Sequence, residues 1–418
     1  MVTNNEQNKL NVPHLRFPEF EEEWNIKTLG SLSKGIGDGI HATPIYDDNG
    51  SYYFINGNNL SERGINISEA TKRVSKEEAY KNNAAILNDR TILLSINGTI
   101  GNVALYNNEP IMLGKSACFI NVSPHINKHY VYHYLQTNKC QTYFKSELTG
   151  TTIKNLSLQS VRNAKIALPS IYEQNRIAKL LDVIDERIAT QSKLIEDLKK
   201  LKSAIVEKVF CSPNQEYPMC RIEGFEQALS TYKMSDFSSR IATKNKDSKC
   251  SLVLTIAAQY GLVNQESFFN KSVASENLTG YYLLHKGEFA YNRSYSAGYD
   301  WGTVKRLDNY DEGVLSTLYI CFKINETIVD SDYLAYYFES TKWHRGMSDI
   351  AGEGARNHGL LNVSMADYFN TKHRFPVIEE QKAIAKILNA ITEKERKATL
   401  LGECYQKQKQ YLLCQMFI

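Results

Sequence analysis

The chain has 418 residues, 42% of them apolar, with a formal net charge of +3. That is enough apolar content for packed cores, and a charge too near neutral to argue for nucleic acid by itself. No apolar run approaches the ~18 residues of a membrane span, and the first twenty residues lack the basic and apolar regions of a secretory leader, so a cytoplasmic protein is expected. The eight cysteines form no Cys-x-x-Cys pair and read as reduced thiols, not as a disulfide framework or zinc site.

In chain order, residues 1–20 read as a tail. A globular segment follows over 21–168, opening on Trp24 and the short stretch from Ile26 to Gly30. Apolar, β-rich runs at Tyr52–Ile55, Thr91–Leu94, Val103–Tyr106 and Ala117–Ile120 predict strands, separated by Asn-Gly and Asn-Asn turn signals. Val131–Phe144 predicts one helix, and Ala164–Leu168 a strand. A long helix is expected over 169–212. The order then starts again over 213–375, with strands at Leu252–Ile256, Gly287–Arg293 and Leu318–Phe322, a helix from Tyr333 to Trp343 and a polar loop from Gly352 to His358. A second long helix closes the chain over 376–418.

The long helices are copies of one pattern. Without gaps, Pro169 falls on Pro376, Glu173-Gln174 on Glu380-Gln381, Ile177 on Ile384 and Phe210 on Phe417. Each Pro stops what precedes it. Ser170 and Glu173 make a capping box, which the second copy lacks because Val377 stands where Ser170 does. Ile177, Leu181, Ile184, Ile188, Ile195, Leu198, Ile205 and Val209 recur at spacings mostly of three, four and seven, the seam of a coiled coil, interrupted at Gln191 and Lys202. The second seam is Ile384, Leu388, Ile391, Ala398, Tyr405, Leu412 and Met416, broken at Glu395, Gly402 and Lys409. About 41 residues at ~1.5 Å each make a rod of roughly 60 Å, whose apolar stripe needs a partner. The other copy is the obvious one. The fold class is therefore α+β: two mixed α/β globules separated by two long helices that pair as an antiparallel coiled coil, with an internal pseudo-twofold.

Catalytic signatures are missing. Gly114-Lys115-Ser116 resembles the end of a P-loop, but Glu109 stands where its first glycine belongs. Gly35, Gly37 and Gly39 lack dinucleotide spacing. His125 and His129 have no third metal ligand in view. No Asp or Asn precedes Pro-Pro and an aromatic, as an amino-methyltransferase requires. No catalytic residue and no metal ligand is assigned.

What the chain offers is recognition chemistry. Asn or Gln can pair bidentately with adenine, and Arg or Lys with guanine. The first globule places Asn58, Asn59, Arg63, Asn97, Thr99, Thr151, Thr152, Lys154 and Asn155 in loops. The second places Lys244, Lys246, Gln259, Asn292, Arg293, Tyr295, Arg356, Asn357 and His358 in equivalent loops. Lys244, Lys246 and Lys249 form a local basic patch suited to phosphates.

With two Pro-x-x-x-Glu-Gln motifs about 200 residues apart, each opening a long helix, and with the entry Phe17-Pro18-Glu19-Phe20 and Trp24, the chain resembles the DNA-specificity subunit of type I restriction–modification systems. The resemblance covers nearly all of it. It implies two target recognition domains, each reading one half of a split, asymmetric double-stranded DNA target about one helical turn (~34–36 Å) apart. It implies helices that set the gap and dock two methyltransferase subunits, and two restriction/translocase subunits that join for cleavage. Cofactors would then sit on partners, S-adenosylmethionine on the methyltransferase and ATP and Mg on the nuclease, with none on this chain and no catalysis by it. The alternative is a coiled-coil adaptor joining two protein-binding modules.

Overall fold

A computed structural model describes residues 11–418 except Arg63, Asn83, 151–153, 272–276, Ala297 and 352–359. The chain divides into two compact units, residues 1–193 with 399–418, and residues 194–398. Each unit thus contains one half of each long helix. The first long helix is Ile171–Val209, and the second is Ile378–Gln415.

In the first unit, β1 (Asn25–Thr28), β2 (Ser33–Asp38), β3 (Tyr52–Ile55), β4 (Thr91–Ser95), β5 (Val103–Leu105), β6 (Ile111–Leu113) and β7 (Ala117–Val122) precede two helices, α1 (Lys128–Leu135) and α2 (Asn138–Ser146), and then β8 (Lys165–Leu168). The central sheet has order β2-β7-β4-β5, all antiparallel, and β3 runs parallel to β6. β1 pairs with β8, so the entry strand lies against the strand that feeds the long helix. All five residues of β4 are buried, which is why it reads as a continuous apolar run and not as an alternation.

The expected single helix over Val131–Phe144 is two. Thr137 breaks it by capping α2, its hydroxyl accepting from Cys140 N at 3.3 Å, and Thr favours a cap over a helix interior. Residues 11–20 are not a free tail. Leu15 N donates to Gln415 O at 2.9 Å, and Trp24 N to Asn11 O at 2.9 Å. Residues 1–10 lie outside the described part.

The second unit repeats the plan with β9 (Ser230–Lys233), β10 (Ser238–Arg240), β11 (Leu254–Ala257), β12 (Gly261–Asn264), a short α3 (Gln265–Phe269), β13 (Phe289–Asn292), β14 (Thr303–Arg306), β15 (Glu312–Leu315), β16 (Ile320–Ile324), α4 (Ser331–Tyr337) and β17 (Lys372–Phe375). Its central sheet has order β10-β16-β13-β14, and β9 pairs with β17. Val253 beside β11 bridges in parallel to Val314 of β15, matching β3 on β6. The globules differ after β3 and β11: the first has a turn and a two-residue hairpin, Leu60–Ser61 against Gly64–Ile65, whereas β11 continues directly into a four-residue ribbon with β12.

Within each unit the helix halves pack antiparallel. In the first unit Ile177, Leu181 and Ile184 share a core with Leu412, Met416 and Phe417, and Ile188 packs on it. Lys409 Nζ meets Asp185 Oδ1 at 2.7 Å, and Arg187 lies over the Tyr405 ring. In the second unit Val206 and Phe210 share a core with Ile384 and Leu388, Ile205 and Val209 pack on it, and Lys199 meets Glu395 at 3.9 Å. Leu198 is buried, and Ile195 and Ile391 are half-buried. The polar interruptions do not open the seam: Gln191 and Lys409 are themselves buried.

Candidate nucleic-acid interface

The motif that repeats in sequence is a lock that seats each globule on its helix. Pro169 and Ser170 start the first helix, with Ser170 Oγ accepting from Glu173 N at 3.3 Å. The expected capping box is only half made. The Glu173 carboxylate instead takes Arg16 in a two-pronged pair at 2.8 and 2.9 Å, and the Trp24 indole N–H at 3.2 Å. Gln174 donates to Pro169 O at 2.9 Å and accepts from Asn127 N at 3.0 Å, just where Asn127 caps α1. In the second unit Glu380 takes Arg221 at 2.7 to 3.2 Å, and Gln381 bridges Pro376 O and the N–H of Asp330, the cap of α4. A planar guanidinium matches a carboxylate fork, and both carboxylates are buried, so the pair fixes orientation as well as charge. Sequence reading missed Arg16 and Arg221. The signal was available: the arginines precede their glutamates by 157 and 159 residues.

Next to the first lock, α1 is fastened to both helices through titratable groups. His129 and His133 each lie 2.9 Å from Asp182 Oδ1, and Lys409 joins Asp185 and the Gln136 amide oxygen. His129 is thus no free surface residue. Burial pushes the His133 pKa down, so it is the neutral imidazole that donates to Asp182. Burial raises the Asp182 pKa, and hydrogen bonds from His129 and His133 outweigh it, leaving it at about 2. The second unit makes the same join with neutral partners on its helix: Tyr336 Oη contacts Asn389 at 2.8 Å and Thr392 at 3.0 Å. Among the described residues no three or more His, Cys, Asp or Glu side chains are placed to hold a metal.

The polar loops gather at one end of each central sheet. In the first unit the turn after β3 is held to the β6–β7 loop: Gly57 N donates to Ser116 Oγ at 2.8 Å, and Ser116 Oγ to Asn56 Oδ1 at 2.9 Å. Gly114 is required there, because a Cβ would sit 2.3 Å from Asn56 Oδ1. Asn97, after β4, bridges to Asn155. Three loops therefore converge, and Asn58, Thr99, Lys115 and Lys154 are exposed on them. Asn59 is half-buried and folds back into its own turn, accepting from Asn56 N and donating to Asn66 O. Asn155 is half-buried in a short strand pair. Arg63, Thr151 and Thr152 lie outside the described residues.

In the second unit the corresponding loops also meet, but two assigned cations are occupied. Arg293 donates to Val363 O at 3.3 Å and Leu318 O at 3.2 Å, so it ties loops together. Lys244 donates to Gly280 O at 2.8 Å and lies 3.8 Å over the Tyr282 ring. Asn292 accepts from Ser294 N in a turn, and Tyr295 is half-buried against the core. Lys246 and Gln259 are exposed, Gln259 at the ribbon tip. Arg356, Asn357 and His358 lie outside the described residues.

Two similar globules, each locked to antiparallel helices and each carrying a loop cluster of its own composition, set the frame for comparison with known proteins. Residues 21–200 match the family described as Type I restriction modification DNA specificity domain. Over those residues the chain carries the DNA specificity domain of type I restriction–modification systems. It is similar to a Methanocaldococcus jannaschii protein provisionally named a type I restriction enzyme specificity subunit, 22% identical over 90% of this chain and 88% of that one. The MjaVIII type I restriction enzyme specificity subunit of the same organism is 28% identical over 49% of this chain and 45% of its own length. The crystal structure of a type I restriction–modification S subunit from M. genitalium shares the fold, with a TM-score of 0.59 at 18% identity, covering 97% of this chain and 99% of that chain. The specificity-subunit resemblance and the α+β fold with long paired helices thus both hold.

Proposed function

We propose that the chain is the DNA-reading subunit of a type I restriction–modification complex. Each unit reads one half of a bipartite target in double-stranded DNA, and the two long helices set the gap and dock two methyltransferase subunits. The carrying observation is that the Arg–Glu pair and the Gln bridge recur in both units while the strand-end loops differ. Shared mounting with different loops is what two readers of two different half-sites need, because loops can vary without moving the helices. Asn58, Thr99, Lys115 and Lys154 in the first unit, and Lys246 and Gln259 in the second, carry amide, hydroxyl and ammonium groups suited to base edges and phosphates.

On this reading the chain catalyses nothing. S-adenosylmethionine is held by the methyltransferase subunits, and ATP and Mg by two restriction/translocase subunits. Among the described residues no helix is long and apolar enough to cross a membrane. Genome-wide mapping of methylated adenine, in cells with and without the chain, tests the proposal. One bipartite motif should appear and vanish with the chain, and an unchanged methylome sinks it. A protein-binding adaptor predicts instead that the purified complex shows no steep fall of DNA affinity with salt.

A further inference from the structure

The second unit ends its loop cluster in an aromatic tip. β3 is followed by an asparagine turn and a short hairpin, Leu60–Ser61 against Gly64–Ile65, whereas its counterpart β11 runs directly into the longer ribbon with β12, rooted in a core by Leu254, Ile256 and Leu262. The tip is Ala258-Gln259-Tyr260, closed by Gly261 at φ +86°, a conformation glycine adopts without strain. Tyr260 is 68% exposed there. Behind it stand Phe268, 6.4 Å away between ring centroids, and Phe269, which meets Phe268 edge-on at 5.0 Å; both are 45% exposed. Folded proteins rarely leave clustered aromatic rings in water without a partner for them.

The ribbon's place in the fold identifies that partner. Thr255 of β11 contacts Tyr319 Oη at 3.3 Å, and Tyr319 belongs to the loop whose Leu318 carbonyl takes Arg293. The ribbon therefore continues the surface formed by the strand-end loops, the counterpart of the asparagine-rich loops of the first unit. A two-stranded ribbon fits the major groove of B-DNA, and an aromatic ring carried on a rigid tip can enter a base step and unstack it. We propose that Tyr260, backed by Phe268, is a wedge that inserts into a base step of the second unit's half-site, with Gln259 beside it against a base edge. The proposal rests on the DNA-reading function above. It adds that the second half-site is read by stacking as well as by hydrogen bonding.

The test uses the full chain assembled with its methyltransferase subunits. A duplex is selected from a random-sequence pool, and 2-aminopurine is then placed in turn at each purine of the selected motif. Fluorescence should rise at one step within the half-site lost on damage to the second unit. Tyr260→Ala should abolish that rise and weaken binding about tenfold, roughly 1.4 kcal/mol, while Tyr260→Phe keeps both. A selected duplex that binds with flat fluorescence, or equal signals from wild type and Tyr260→Ala, overturns the wedge and leaves the DNA-reading function standing; a protein partner on the same rings gives that outcome. Failure to select any sequence overturns both.

Discussion

Arg16 and Arg221 show how one side chain can hold a whole globule in place. Each reaches across more than 150 residues to a buried glutamate that nothing else neutralises within hydrogen-bonding distance among the described contacts. Removing the arginine strands a buried charge, which costs about 3–5 kcal/mol. Arg16→Ala should therefore lower the unfolding free energy of the first unit by that amount, and Arg221→Ala that of the second. Chemical denaturation checks it, and a change under 1 kcal/mol would show the pair to be a surface ornament. His373 makes a second residue-scale case. It is buried between Tyr337 Oη at 3.0 Å and Thr371 Oγ1 at 2.9 Å, and burial lowers its pKa to about 3. An unfolded histidine titrates near 6.5, so on acidification the unfolded chain binds the proton first. The contribution of His373 is complete above about pH 6.5 and lost as pH falls towards 3, at up to about 1.4 kcal/mol per pH unit. His373→Gln should make the stability of the second unit less steep between pH 6.5 and 4, and identical slopes refute the assignment.

At the scale of elements, the long helices owe their pairing to the seam more than to local propensity. Leu181 is fully buried in the first unit and Leu388 in the second. Leu181→Ala or Leu388→Ala should cost about 2–5 kcal/mol through lost burial and an unfilled cavity. The seam was readable because its period survives polar interruptions. What could not be read was why Gln191 and Lys409 are tolerated. Lys409 is buried because Asp185 and Gln136 meet it there, and Gln136 lies on the globule, 273 residues away. The break at Thr137 was likewise hidden: an apolar face continues across it in sequence, and only the cap bond to Cys140 shows that the helix stops. Arg293 was legible as a loop cation but not as one spent on two backbone carbonyls. Arg293→Ala should therefore impair the second half-site by loosening its loops, with a measurable loss of stability in the second unit as well.

For the molecule as a whole, the first long helix gives Ile171–Lys193 to one unit and Leu194–Val209 to the other, and the second helix is divided likewise. If the helices set the gap between half-sites, deleting four residues near Ile195, about one turn, should shorten or abolish the tolerated gap in the methylated motif while leaving each half-site's bases unchanged. Methylome mapping reads both quantities separately. An unchanged gap removes the ruler role. Exchanging residues 21–168 or 213–375 with those of a related chain should exchange one half-site and keep the other.

Sequence alone determined the repeat, the two long helices, some of the strands in each globule and the resemblance to the specificity subunits, because these follow from periodicity and from motifs short enough to be seen without contacts. Tertiary structure decided what the repeated letters touch: Glu173 and Glu380 are sockets for distant arginines, and Arg293 and Lys244 hold backbone carbonyls of neighbouring loops. It also decided that one globule ends in asparagine turns and the other in an aromatic-tipped ribbon. The physical reason is the same throughout. A polar side chain's role is set by the partner that reaches it, and for Arg16, Arg221 and Lys409 that partner lies more than a hundred residues away.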